Sequence, residues 1–514
     1  MDSMTASLRS DAREAYRMTQ MTEEFADIPS LRDDTSHPFS LRKGRRDHIS
    51  AIQTEQTMSY SSNQQSQDTL QLLSKIPDLY SENEQTLTST LYFIRSKTQG
   101  SHLANLDLLV QNNILPPLHK VLCLDHLPSA QHNALWIITN ICYNSKERSE
   151  TVAYSSCMGK VFELLKSQDL KLAEQAAWLI GNIFDSAPEV KLLFRDVPII
   201  ADIIDLLSTR EFKLAPFSNI IWALSRIARR EPQDPSIALD EEEARRLQQE
   251  ENLLVSSMVT ITPYLCQHDE RFLESTLDCL ISITDFSDKA LMCLSNGQHV
   301  QQLVELTSND HPNIVVKSVH LLGSLAAGTM QMTEMVIQNG AIERMAVLLG
   351  RHHNKLTQKI CWTFSNISNG TENQIGSLFT TSAITSLLAH LSTFDNVSSQ
   401  WAARTFLAIS QLSRMRSMEL MGIGAAPALL GLLSVNSAET VDITLMTIWN
   451  LLAIGNLQTR RVDQNGMQKN PVRDKFEMAN AQEVIEAFLD SPNQSIRLHA
   501  QQIINTHFSP TSYL

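Results

Sequence analysis

The sequence has no apolar run of the roughly 18 to 20 residues that a membrane span requires. Its first residues, MDSMTASLRSDAREAYR, carry no apolar signal-peptide core. A cytoplasmic and nuclear protein with no membrane partner is the expectation. Cysteine is scarce: Cys123, Cys142, Cys157, Cys266, Cys279, Cys293 and Cys361 are odd in number, scattered and without a CxxC pair. That excludes a disulfide framework and a zinc ribbon, and leaves reduced core thiols as the expectation. The sequons at Asn366 and Asn369 then carry no meaning, since glycosylation belongs to secreted surface loops. Basic residues are outnumbered, 42 against 56 acidic, for a net charge of -14. Such a surface repels polyanions and favours cationic partners, so nucleic acid is not expected as a ligand. Also missing are a phosphate-cradling glycine loop, metal-ligand spacing, a nucleophile motif and, among 15 histidines, any HExxH. No enzymatic activity, cofactor or metal is expected.

The low content of glycine (16) and proline (17) in 514 residues leans towards helix. Residues 1 to 70 are poor in apolar side chains and rich in Ser, Thr, Gln, Asp and Arg, and cannot bury enough surface to offset chain entropy. They are expected to form a disordered N-terminal arm. From residue 71 the pattern becomes short helical segments with apolar residues three and four apart, broken by Asn, Asp, Gly or Pro.

Self-similarity is the strongest signal in the chain. ALWIITNI, AAWLIGNI, IIWALSRI, CWTFSNI and LMTIWNL stack as variants of one helix. A Trp position and an Asn position four residues later fall at Trp136/Asn140, Trp178/Asn182, Trp222/Arg226, Asp278/Ser282, His320/Ser324, Trp362/Asn366, Arg404/Ala408 and Met446/Asn450. From 278 through 320, 362 and 404 to 446 each step is 42 residues, as is 136 to 178, while 178 to 222 is 44 and 222 to 278 is 56. The long step contains the polar, acidic stretch Glu231 to Asn252, expected as a solvated loop extension. A period near 42 fits the roughly 40 to 47 residues of armadillo or HEAT units. Gly340 and Gly424, each at a sharp turn between two helices, favour armadillo. The predicted fold is all-α: an armadillo-repeat, right-handed superhelical solenoid of about ten repeats over residues 71 to 514.

Residues four apart on a helix point the same way, so each Trp/Asn pair becomes a rung once the repeats stack. A row of Asn amides can bond the main chain of an extended peptide. Indoles between them form slots for the stems of Lys and Arg, with cation attraction to the ring worth about 0.5 to 2 kcal/mol each. The competing reading is that each Trp is core and each Asn a cap. Recurrence of Asn140, Asn182 and Asn366 at one offset in otherwise different repeats favours binding of basic peptides.

EQAAWLIGNI and QKICWTFSNISNGTENQI resemble importin-alpha (karyopherin-alpha), the adaptor that binds nuclear localisation signals and links cargo to importin-beta, and the likeness runs from about residue 71 to the C-terminus. The resemblance implies a major cargo groove at Trp136, Asn140, Trp178, Asn182 and Trp222, and a minor one at Trp362 and Asn366. It also implies three departures. Arg226 stands where the family has a third major-site Asn and would repel a cationic ligand; the alternative is that an acidic neighbour neutralises it or it turns out of the groove, so that the site is shortened rather than lost. Arg404 and Ala408 replace a minor-site pair. Asp185 is offered for the key cargo lysine, with Ser186 at the family's acidic position. The family's importin-beta-binding arm, which folds back over the cargo groove, is matched by LRKGRRDHIS, through Arg42, Lys43, Arg45 and Arg46. The last repeat corresponds to the family's surface for the recycling export receptor. The rival reading is an armadillo scaffold docking other proteins, as catenin-type arrays do, without recognition of basic signals.

Overall fold

The computed structural model describes residues 70–98, 106–209, 214–230, 240–351, 353–457 and 470–508. The proposed arm, with Arg42, Lys43, Arg45 and Arg46, lies outside them. The described residues are helical throughout, with no strand.

Every repeat contributes one long helix bearing the Trp and Asn positions, here called its ladder helix. In chain order these are Glu84–Lys97, Pro128–Cys142, Leu170–Ser186, Leu214–Ala228, Glu270–Thr284, Pro312–Ala327, Asn354–Ser368, Asn396–Leu412, Ala438–Asn456 and Gln494–Ile503. Their starts are written locally. Asn83, Asp169, Asp269, His353, Asp395, Ser437 and Asn493 each accept a backbone N–H of the first turn, and Pro128 and Pro312 open two others. Shorter helices precede each ladder helix, and in four repeats the turn into them uses a left-handed residue. Gly340 (φ 76°) and Gly424 (φ 92°) supply it, as the sequence predicts, and Asn113 (φ 56°) and Asn480 (φ 60°) supply it elsewhere.

The chain divides at Ala290/Leu291 into two compact units. In the first, ladder helices one to five pack each on the next; in the second, six to ten do the same. Each is an armadillo stack. Its core is the seam between successive ladder helices, filled by side chains such as Leu91, Ile138, Ile180, Phe217 and Leu277 in one unit and Leu322, Phe364, Phe406 and Leu445 in the other. The spacing is fixed where a glycine lies beneath the next tryptophan. A Cβ on Gly181 would stand 2.8 Å from Cζ3 of Trp222 and 3.0 Å from Cα of Ala223, and Gly323 is crowded in the same way by Trp362 and Thr363.

Two expectations are corrected. The acidic stretch is not all loop: 231–239 lies outside the described residues, but Asp240 caps a helix, Glu241–Ile261, that carries the rest. Arg230 donates to Leu247 O, and Glu251 accepts from Ser287 Oγ at 2.7 Å, so this helix is docked rather than merely solvated. The cysteines are thiols, as expected, but only Cys142, Cys157, Cys279 and Cys361 are buried; Cys123, Cys266 and Cys293 are exposed.

Candidate peptide-binding ladder

In the first unit the Trp positions of repeats two and three meet: Trp136 and Trp178 stand edge to face, centroids 5.9 Å apart at 80°. Their exposure differs. Trp178 is 3% exposed, whereas Trp136 and Trp222 are half-buried and offer ring surface. The open face of Trp136 already carries a cation. The Arg95 guanidinium lies 3.6 Å over its centroid, held by a 2.9 Å bond from Nη1 to Asn133 Oδ1. His132 stands edge-on to the same ring at 5.7 Å. Burial first, and then the charges of Arg95 and Lys171, push its pKa below the usual histidine value, so it is neutral at pH 7.

The Asn positions are tied inward. Asn140 Nδ2 donates to Thr98 Oγ1 at 3.0 Å, and Thr98 is the equivalent position of the first repeat. Asn182 Nδ2 donates to Trp178 O at 2.8 Å within its own helix. Both residues are buried. One amide hydrogen of each is therefore spent on the scaffold, and Asn140 acts as a staple between repeats.

At the third rung Arg226 is neutralised by acidic neighbours. Its Nε lies 3.6 Å from Asp185 Oδ1 and its Nη2 3.5 Å from Asp278 Oδ2, while the guanidinium sits 5.2 Å from the Trp222 centroid. Arg229 Nη1 shares Asp185 at 3.8 Å, and Lys191 Nζ caps the helix end through Arg226 O and Arg229 O at 3.0 and 2.6 Å. Asp185 is thus engaged by two arginines, and Ser186 turns back to Cys142 O. Glu174, one turn before Trp178, takes the amide of Asn219 across the same two helices, and burial raises its pKa.

In the second unit Trp362 is 1% exposed and fully packed, with His320 edge-on at 5.8 Å. Asn366 Nδ2 donates to Gly323 O at 3.2 Å, while its Oδ1 is buried with no hydrogen-bond partner among the described residues. Arg404 pairs with Glu439 and lies 5.4 Å from the Trp401 centroid, and Asn450 Nδ2 reaches Ser410 Oγ at 3.1 Å.

The structure thus brings together Trp136, Asn140, Trp178, Asn182, Asp185 and Trp222 in one unit, and Trp362 with Asn366 in the other. Four further residues shape the sites: Arg95, Asp278, Gly181 and Gly323. Asp278 was legible as an acid at the Trp position one rung beyond Arg226; Arg95, one residue past its own Trp position, gave no signal. Among the described residues no group of three or more His, Cys, Asp or Glu could hold a metal ion, and no single helix is long and apolar enough to cross a membrane.

No family model matches the chain. Among curated proteins it is 23% identical over 263 residues to importin subunit alpha-8 of Arabidopsis thaliana (51% of this chain, 55% of that one). It is 24% identical over 272 residues to importin subunit alpha-1a of Oryza sativa subsp. japonica (52% and 48%). With importin subunit alpha-3 of Arabidopsis thaliana it shares 24% over 311 residues (60% and 55%). The chain spans about half the length of the curated relatives it matches, less than the likeness to the C-terminus read from the sequence. An engineered protein of known crystal structure superposes with TM-score 0.70 at 16% identity, covering 86% of this chain and 99% of its own. A designed armadillo repeat protein gives 0.42 at 21% identity, covering 48% and 98%. The fold is that of an all-α armadillo solenoid, and in sequence the chain is similar, at low identity, to importin alpha subunits.

Proposed function

We propose that this armadillo protein is a peptide-binding scaffold whose ladder takes lysine- and arginine-rich nuclear localisation signals, and that it serves as a nuclear import adaptor of the cytoplasm and nucleus. The observation carrying this reading is the Trp136–Trp178–Trp222 series with Asn140 and Asn182 at its side, on a chain of net charge -14 that is similar in sequence to importin alpha subunits. Trp362 and Asn366 form the corresponding second site. Repeats over 71 to 514 make the binding domain. The arm of residues 1 to 70, through Arg42, Lys43, Arg45 and Arg46, engages importin-beta, and the last repeat meets the recycling export receptor. Binding, not catalysis, is its chemistry.

A second reading is favoured by specific contacts. Arg95 on Trp136 and Arg226 between Asp185 and Asp278 fill cation positions from within the chain, as suits an armadillo scaffold that docks other proteins. Fluorescence anisotropy of a labelled basic signal peptide separates the two. Binding by the full chain that falls at least tenfold with Trp136→Ala or Trp222→Ala supports the adaptor; weaker binding by the full chain than by residues 71 to 514 supports a self-covering arm. No binding by either form leaves the scaffold.

A further inference from the structure

The third rung of the first unit is built around cations rather than amides. Three positive groups converge there, Lys191, Arg226 and Arg229, against two carboxylates, Asp185 and Asp278. Lys191 donates to neutral backbone carbonyls at the helix end and keeps its charge, so the five charged side chains of the rung sum to one net positive charge. Arg226 is 14% exposed and held from both sides, at 3.6 and 3.5 Å, lengths beyond the roughly 2.7 to 2.9 Å of a close charge-assisted bond. Arg229 is 44% exposed and Asp185 41%, so their 3.8 Å pair is exchangeable with an incoming group.

A lysine of a bound peptide reaching this rung meets Arg229 and Asp185 at nearly equal exposure, and two carboxylates set against the three positive groups leave it a net repulsion. A carboxylate meets them favourably, and a guanidinium offers it a planar, two-pronged donor set. The half-buried Trp222 ring beneath Arg226, 5.2 Å away, holds the guanidinium in place. The two rungs before it have no such cation at the Asn position: Asn140 and Asn182 stand there.

Resting on the peptide-binding reading above, we infer that the third rung is an anion-accepting position: the extended peptide that fits this ladder carries an aspartate or glutamate beside its basic residues, and Arg226 with Arg229 binds that carboxylate. The ligand is therefore a mixed-charge segment, and the two arginines set its register.

The test is anisotropy with the full chain at roughly 150 mM salt, where only close pairs survive screening. Three labelled peptides are compared: a lysine-rich core, and the same core with one glutamate placed before or after it. One glutamate peptide is expected to bind about five- to tenfold tighter than the all-basic one, the worth of one partly buried pair. That preference disappears in Arg226→Asn and shrinks in Arg229→Gln, the milder change, with circular dichroism checking the fold of each. An all-basic peptide that binds wild type as tightly as both glutamate peptides overturns the inference and leaves the peptide-binding reading standing. So does Arg226→Asn gaining all-basic binding when wild type binds none of the three, since Arg226 is then a block. Failure of every peptide with every form overturns the peptide-binding reading and this inference together.

Discussion

Gly181 lies where the fourth ladder helix comes nearest the third, with the Trp222 ring and the Ala223 backbone occupying the space of a side chain. Gly181→Ala is expected to cost about 1 to 3 kcal/mol, as overpacking does, read as a lower urea midpoint. A value within error of wild type would show that the two helices separate freely. A second residue gives a pH signature. Burial pushes the Lys359 ammonium down to about 7 from its ordinary 10.5. A basic group depressed in this way contributes its full stability above the unfolded value, and loses it as the pH falls through 10.5 to about 7. Lys359→Met is therefore expected to raise Tm at pH 6.5, by roughly 2 to 4 °C, and by less at pH 9; a gain independent of pH would contradict the assignment. Of the residue-scale detail, the Trp/Asn offset was legible because repetition displays it. That Trp178 and Trp362 are buried while Trp136 and Trp222 keep open faces was not, because helical spacing places a side chain on a face without saying how closely the next helix covers it.

At the scale of the element, Asn470 joins two helices across residues 458–469, which lie outside the described structure. Its Nδ2 donates to Leu452 O and Asn456 Oδ1, while its Oδ1 accepts from the N–H groups of Val472 and Arg473. Asn470→Ala removes the cap and both bonds to the preceding helix, for an expected loss of about 2 kcal/mol; Asn470→Ser, which keeps the cap alone, should lose less. Thermal melting distinguishes them. The 42-residue period was legible to the residue, as were the turns at Gly340 and Gly424. The equivalent turns at Asn113 and Asn480 were not marked, because asparagine adopts the left-handed conformation without the scarcity that makes glycine conspicuous. Helix Glu241–Ile261 was missed because its first half is so charged that it reads as solvated, whereas Glu251 and Leu254 near its middle dock it.

At the scale of the whole molecule, the proposed binding of basic peptides by an acidic chain predicts an ordering of the two Trp/Asn sites. Replacing Trp178 and Asn182 together is expected to remove most binding of a single basic cluster, while Trp362 and Asn366 matter chiefly for signals with two. Since Trp178 is buried, Trp→Ala also costs about 3 to 5 kcal/mol of stability, so the comparison is read at a temperature where circular dichroism shows both variants folded. Equal loss at the two pairs would contradict the ordering. The fold class was legible as a whole because armadillo units are copies, and ten imperfect copies reveal a period that one would hide.

The glycine beneath a tryptophan also constrains how such a chain can change over generations. Losing Trp222 costs packing but removes the tightest contact on a Gly181 side chain, leaving Ala223 at 3.0 Å, and an alanine can then settle there with a small shift of the helices. Once it has, the indole cannot return without a clash, because its place is taken. Rungs of this kind are easily lost and hard to regain, so a ladder that sheds tryptophans in one lineage drifts towards other ligands by a path that single substitutions do not reverse.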